Sequence, residues 1–317
     1  MTERLISALE PTPPRESVVT IGTFDGLHRG HQHLISQVLA RAAAVDREAI
    51  VITFVPHPRS VLHPELPVAY LTSTEERLSR LRTAGFNRVI ALEFTPELAA
   101  MRAEDFVDHI SAGLCMRELW IGHDFRLGAG QQGDAAHLAQ YGERLGYQLH
   151  VIEALMDGGA PINSTRIREL VLAGQVADAA RLLGRPYTIG GTVIQGRHVG
   201  RTLGVRTANI ACDPERVIPT NGVYAAWALV KGERRMAALN IGIRPSFGES
   251  ERLLEAHLLG YDGDVYNAQL ELQLIQYLRP ELVFESREAL IEQIHQDIAL
   301  TRQMLGTDDK GIEPWLT

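Results

Sequence analysis

The sequence predicts an α/β protein in two parts: a doubly wound parallel sheet over residues 1–184, then a small antiparallel β-barrel with a C-terminal helix over 185–317. Three observations carry this. Up to Gly184, short apolar runs alternate with segments whose apolar residues recur at helical spacing. From Arg185-Pro186-Tyr187 onward the helical periodicity vanishes, and short strands alternate with glycine turns. Near the end, Leu290, Ile291, Ile294 and Ile298 recur on one face of a helix that starts at the cap Ser286 and runs to Leu305.

The first strand is Val18–Ile21. A glycine turn follows, and Leu34, Ile35, Val38, Leu39 and Ala42 then mark a helix. Ala49–Phe54 is the next buried strand, and the prolines of Val55-Pro56-His57-Pro58-Arg59 stop regular structure and set a rigid loop. Thr72-Ser73-Thr74-Glu75 has capping-box spacing before a helix with Leu78 and Leu81. Strands at Arg88–Phe94, Glu118–Gly122 and Tyr147–Ile152 flank helices at Ala103–Ile110 and Ala135–Leu145. Two short helices ending at Gly174 and Gly184 close this half, the first with Ser164 or Thr165 as its N-cap. Strands in the second half are expected at Tyr187–Ile194, Gly222–Val230, Met236–Ile241, Leu253–Leu259 and Gln269–Leu278.

Composition narrows the function. With 45% hydrophobic and 22% charged residues the chain reads as an ordinary soluble globular protein, and 317 residues suit two domains. A net charge of −8 argues against a nucleic-acid binder, which would be basic. Cys115 and Cys212 fit no metal-ligand spacing and read as reduced core residues of a cytoplasmic protein. There is no signal peptide and no apolar run long enough to cross a bilayer, so no membrane association is expected.

The stretch V-V-T-I-G-T-F-D-G-L-H-R-G-H, residues 18–31, places a strand, a glycine turn and a helix N-terminus in succession. Free N–H groups and the positive end of the helix dipole then face one spot, which suits phosphate. His28 and His31 add hydrogen-bond donors where negative charge develops. His57 and Arg59 follow a parallel strand, where open α/β sheets place ligands; ordinary loop residues and ligand contacts are both open readings there. Arg166 and Arg168 lie in the first turn of a helix, an unfavourable place for cations that an anionic ligand offsets. In the second half, Gly196, Gly200 and Gly204 allow close backbone approach to a phosphate chain. Thr207 and Asn209 offer neutral oxygens suited to Mg²⁺. Glu255 and His257 share one face of a strand; a solvent-facing pair is the plain reading, and a general base at Glu255 the functional one.

At H-R-G-H the chain resembles the nucleotidyltransferase superfamily marked by H-x-G-H. Taken with F-V-P-H-P-R, G-H-D-F-R-L-G-A-G-Q-Q-G-D, N-S-T-R-I-R, the T-A-N triplet, G-V-Y, N-I-G-I-R-P-S-F, E-A-H-L-L and L-R-P-E-L-x-F, it is similar over nearly its whole length to the prokaryotic bifunctional riboflavin kinase/FAD synthetase family. The resemblance implies an FAD synthetase domain over 1–184 and a riboflavin kinase domain over 185–317. The substrates it implies are riboflavin, FMN and ATP, with Mg²⁺ as cofactor. In the first domain His28 and His31 would be catalytic. Gly22, Phe24, Asp25, Arg59, Ser164, Thr165 and Arg168 would contact ATP or its phosphates, and His57, Asp124, Phe125 and Arg126 the flavin. In the second, Glu255 would be the base, Thr207 and Asn209 would hold metal and phosphates, and the glycine loop would cover ATP. The family reads G-F-P-T-A-N where this chain has Val205 and Arg206, Gly260 stands where Asp is usual, and Asn163 and Ser246 replace Ser and Thr. Arg206 either loosens the metal loop or contacts phosphate, and an FAD synthetase whose barrel only binds flavin stays open as the alternative.

Overall fold

The computed structural model describes residues 15–65, 69–195, 206–246 and 249–306, with backbone alone at 244–246 and 249–251. The chain divides into two compact units, one up to Asn163 and one from Ser164 on. The two helices expected to close the first half, Ser164–Leu172 and Val176–Leu183, therefore group with the second unit. The second of them packs on barrel strands.

The first unit is built on a five-stranded sheet: β1 Ser17–Ile21, β2 Glu48–Val55, β3 Arg88–Glu93, β4 Met116–Gly122 and β5 Gln148–Ile152. The order is β3-β2-β1-β4-β5 and every pairing is parallel. Strands β1, β2 and β4 read as near-continuous apolar runs because helices cover both faces. Helix Arg29–Ala44 lies on one face, turning Leu34, Ile35, Val38 and Ala42 inward. Helices Ala103–Gly113 and Ala135–Leu145 lie on the other, where Phe106, Val107, Ile110 and Leu138 meet Val19, Ile21, Leu119 and Ile121. The order reverses between β1 and β4, so a crevice opens beyond the C-terminal ends of those two strands. Thr20 fastens them together there, donating to the Trp120 carbonyl at 2.9 Å.

Two local expectations are corrected. Pro58 does not end regular structure; it opens the short helix Pro58–Leu62, because proline's fixed φ and missing N–H suit the first helical position. Ser164 and Thr165 are not caps but lie inside the first turn of helix Ser164–Leu172. A two-stranded hairpin, β6 Met156–Asp157 with β7 Ala160–Pro161, precedes that helix.

The second unit holds a closed six-stranded barrel, β10-β11-β12-β9-β8-β13, with every pairing antiparallel. Its strands are β8 Tyr187–Ile194, β9 Ala208–Cys212, β10 Gly222–Val230, β11 Glu233–Ser246, β12 Glu249–Leu258 and β13 Gln269–Arg279. Strand β10 is apolar on both faces because the barrel interior takes one and helix Arg287–Gly306 covers the other, with Leu305 against Ala225 and Trp227. Arg279 at the end of β13 clamps that helix through a bidentate pair with Asp297, at 2.8 and 2.7 Å.

Candidate active sites

In the first unit the phosphate-type turn is built as the strand–turn–helix pattern predicts, at the switch point of the sheet. The chain leaves β1 through Gly22, whose N–H donates to Ile52 O at 3.1 Å. It then turns through Phe24 (φ 51°), Gly26 (φ 80°) and Leu27 (φ 38°). Two non-glycine residues in the left-handed region store strain, which persists only where surrounding contacts enforce it. Those contacts are visible. Phe24 and Leu27 are fully buried, and Asp25 accepts hydrogen bonds from the N–H groups of Leu71 and Thr72 and from the Thr72 hydroxyl, at 3.0 to 3.2 Å. Asp25 thus shapes the turn from beneath.

His28 caps the helix that follows. Its Nδ1 accepts the His31 N–H at 3.3 Å, so a neutral His28 carries its proton on Nε2. Capping thereby fixes the tautomer, and Nε2–H is the donor the ring has to offer. The two imidazoles stack at 3.6 Å between centroids, and His31 meets the edge of Phe24 at 5.3 Å. Gly30 between them has a spatial reason: a Cβ there would stand 3.1 Å from the His28 ring and 3.3 Å from Ile162 O.

Two further groups expected here sit at the C-terminal ends of neighbouring strands. His57 and Arg59 follow β2. His57 caps the helix Pro58–Leu62 by accepting the Arg59 N–H at 3.1 Å, and its ring lies 5.7 Å from Tyr70. Asp124, Phe125 and Arg126 follow β4. Phe125 packs against the core, whereas Asp124 and Arg126 are exposed, the guanidinium donating to Phe125 O at 2.9 Å. Ser164, Thr165 and Arg168 lie in the second unit's first helix.

In the second unit the register makes the constellation. Glu255 of β12 pairs directly with Asn209 of β9 on one side and with Asn240 of β11 on the other. Directly opposed residues share a face. Leu254, Ala256 and Leu258 fill the barrel interior, so Asn209, Glu255 and Asn240 form a polar row on its outside. Thr207 stands two residues before Asn209. His257 donates from Nδ1 to Arg206 O at 2.8 Å, holding the chain just ahead of Thr207. The Arg206 guanidinium reaches Asp262 O at 3.1 Å, so its side chain is tied to the 260–264 loop. Gly196, Gly200 and Gly204 lie outside the described residues.

Neutral amide and hydroxyl oxygens beside one carboxylate form a hard donor set, which fits Mg²⁺ better than a soft metal. Among the described residues no group of three or more His, Cys, Asp or Glu side chains forms a metal cluster. Sequence reasoning gives Asn240, the first residue of N-I-G-I-R-P-S-F, no role in the site. Only strand register brings it beside Glu255. Glu281, from the L-R-P-E stretch, accepts from Asn221 at 2.9 Å.

Comparison with known proteins finds a family match in each half of the chain. Residues 10–166 match the family model for FAD synthetase, and residues 183–305 match that for riboflavin kinase. The bifunctional riboflavin kinase/FMN adenylyltransferase of Pseudomonas fluorescens is 36% identical, covering 92% of this chain and 93% of its own. The Escherichia coli K12 protein of the same description is 34% identical, over 96% and 97%. Among solved structures, one described as a macrolide-efflux protein from Streptococcus pneumoniae superimposes with a TM-score of 0.86 at 27% identity, covering 92% of this chain and 95% of that one. That description names a transport role, whereas no helix among the described residues here is long and apolar enough to cross a membrane. The two family models, together with relatives 34–36% identical over more than nine-tenths of the chain, place this chain in the family of bifunctional riboflavin kinases/FMN adenylyltransferases.

Proposed function

We propose that the chain carries both activities of its family on separate units, phosphorylating riboflavin on the barrel and adenylylating FMN on the parallel-sheet unit. The domain limits proposed are 1–184 and 185–317, around the stretches 10–166 and 183–305 that the two family models match. The observation that carries the reading is the cross-strand row Asn209–Glu255–Asn240, because it gives the kinase half a positioned base among neutral oxygens.

On the barrel, Glu255 takes the proton of the ribityl 5′-hydroxyl as that oxygen attacks the γ-phosphorus of ATP. The bond from Pγ to the β–γ bridging oxygen breaks, leaving FMN and ADP. Thr207 and Asn209 would hold Mg²⁺, which when bound neutralises phosphate charge. His257 holds the Arg206 carbonyl just ahead of Thr207, and the Arg206 guanidinium goes to Asp262 O. On the parallel-sheet unit an FMN phosphate oxygen attacks the α-phosphorus of a second ATP. The α–β linkage breaks and pyrophosphate leaves. His28 Nε2–H and His31 stabilise the oxygens where charge accumulates. Gly22, Phe24 and Asp25 build the turn that leads to them, and Arg59 contributes a phosphate contact. His57, Asp124, Phe125 and Arg126 border the flavin. The net charge of −8 and two free cysteines support a cytoplasmic enzyme acting on small molecules.

The test follows riboflavin, FMN and FAD chromatographically after adding riboflavin, ATP and Mg²⁺ to the wild type and to Glu255→Gln. The wild type accumulates FMN and then FAD. The variant loses FMN formation by at least about a hundredfold, the scale of a general base, and still converts supplied FMN to FAD. Equal FMN formation by the two proteins would remove Glu255 from the chemistry.

A further inference from the structure

Helix Thr74–Thr83, which packs against the turn leading to the histidines, carries a buried cation. Arg77 is 2% exposed. Its Nη2 donates to Phe54 O at 2.9 Å, and its Nε has no hydrogen-bond partner among the described residues. Burial pushes the guanidinium below the ordinary arginine range, and the negative charge of Asp25 is the main influence opposing this. Asp25 is fully buried as well, and holds the N–H groups of Leu71 and Thr72. The Thr72 hydroxyl both donates to Asp25 at 3.2 Å and accepts the Gly26 N–H at 3.1 Å.

A buried guanidinium with so few partners is a costly way to pack a helix, and an apolar side chain of similar volume does that more cheaply. What the charge achieves is a connection. Phe54 O lies at the end of β2, just before the loop that carries His57 and Arg59. Asp25 and Gly26 lie in the turn that leads into His28 and His31. The single segment 71–77 therefore grips both loops, one through Thr72 and Asp25, the other through Arg77.

We propose that Arg77 is a positioning residue for adenylyl transfer, fixing the β2-end loop through Phe54 O while Thr72, on the same segment, holds the histidine turn through Asp25 and Gly26. The inference rests on the assignment of that reaction to this unit. Misplacement of reacting groups by an ångström can cost about a hundredfold in rate, so the effect belongs in turnover as well as in stability.

The experiment compares full-length wild type, Arg77→Met, Arg77→Lys and Thr72→Val. Each is assayed for FAD formation from FMN and ATP and, in the same preparation, for riboflavin phosphorylation. Arg77→Met is expected to lower kcat/KM for FAD formation at least about tenfold, chiefly through kcat, with phosphorylation within twofold of wild type. Arg77→Lys, which keeps the charge beside Asp25, recovers most of the loss. Unchanged FAD formation in Arg77→Met overturns the proposal, as does a loss that Lys fails to rescue. Should Arg77→Met not fold, Thr72→Val decides: a severalfold fall in FAD-forming kcat supports the grip, and wild-type kinetics overturn it. A wild type that forms no FAD from FMN is a different result, and overturns the functional assignment itself.

Discussion

Gly30→Ala isolates the geometry of the histidine pair. Gly30 has no left-handed φ, so alanine fits its backbone, and the substitution should gain about 1 kcal/mol of helix propensity. Space opposes it. The new methyl would stand 3.1 Å from Cε1 and Nδ1 of His28 and 3.3 Å from Ile162 O. Attractive contact begins near 3.5 Å, so the neighbours must yield by roughly 0.4 Å. His28 cannot swing away freely. Its ring is 5% exposed, its other neighbour is His31 at 3.6 Å, and its Nδ1 holds the His31 N–H. Overpacking costs about 1–3 kcal/mol and loss of the cap about 1 kcal/mol. After the propensity gain the net destabilisation is about 1–3 kcal/mol, a shift of several degrees in the unfolding temperature. The effect on chemistry should be larger, because a displaced Nε2–H no longer meets the developing charge: kcat for FAD formation falls on the order of ten- to a hundredfold. Initial rates from FMN and ATP measure this, with riboflavin phosphorylation on the other unit as internal control. FAD formation within twofold of wild type would refute the claim that the stacked geometry matters.

Three further outcomes follow from the same structure. In the buried cluster at β4, burial lowers the His150 pKa below its usual 6.5 despite the Glu118 carboxylate at 3.2 Å, so the unfolded chain takes a proton the fold resists and stability falls as pH drops through that value. Burial would raise Glu118, but hydrogen bonds from Arg41 and Trp120 and the Arg41 and His150 charges outweigh it; the stabilisation this brings is present above its unfolded pKa and lost as pH falls through the lowered folded one. His150→Gln should flatten unfolding temperature against pH between 7 and 5, and an unchanged slope counts against it. Asp297→Ala breaks a buried bidentate pair with Arg279 and should cost about 3 kcal/mol, read by thermal unfolding; a loss under about 1 kcal/mol would mean that the helix needs no such clamp. Arg206→Pro keeps the carbonyl that His257 uses and restricts φ next to Thr207, so KM for ATP in riboflavin phosphorylation should fall; an unchanged or higher KM rejects the idea that Arg206 loosens this loop.

The parts of the fold visible in the sequence are those set by local periodicity. Val18–Ile21, the histidine turn and the helix after it need only neighbours within a few residues, and the structure places them at 17–21, 22–28 and 29–44. The apolar run of β10 is equally plain. What periodicity cannot supply is which residues lie side by side across strands. Asn209 and Asn240 reach Glu255 through registers set by the whole barrel, and only the pairing shows that three polar positions from three strands form one row.

Buried charge is the other blind spot, and for one reason each time. Arg77 sits in T-E-E-R-L-S-R-L-R, where it is indistinguishable from exposed Arg82, and Asp297 interrupts an apolar stripe as a surface residue would. A long-range partner decides both cases: Phe54 O and Asp25 for the first, Arg279 for the second. Polar residues placed by distant partners carry no local signature, yet they fix the geometry of loops and helix ends. The residues that touch substrate in the proposed sites are therefore the readable ones, since their chemistry is written in short motifs. Thr72 and Arg77, which hold the histidine turn and the β2-end loop, and Asn240, which lies beside Glu255, take these places only once the chain is folded.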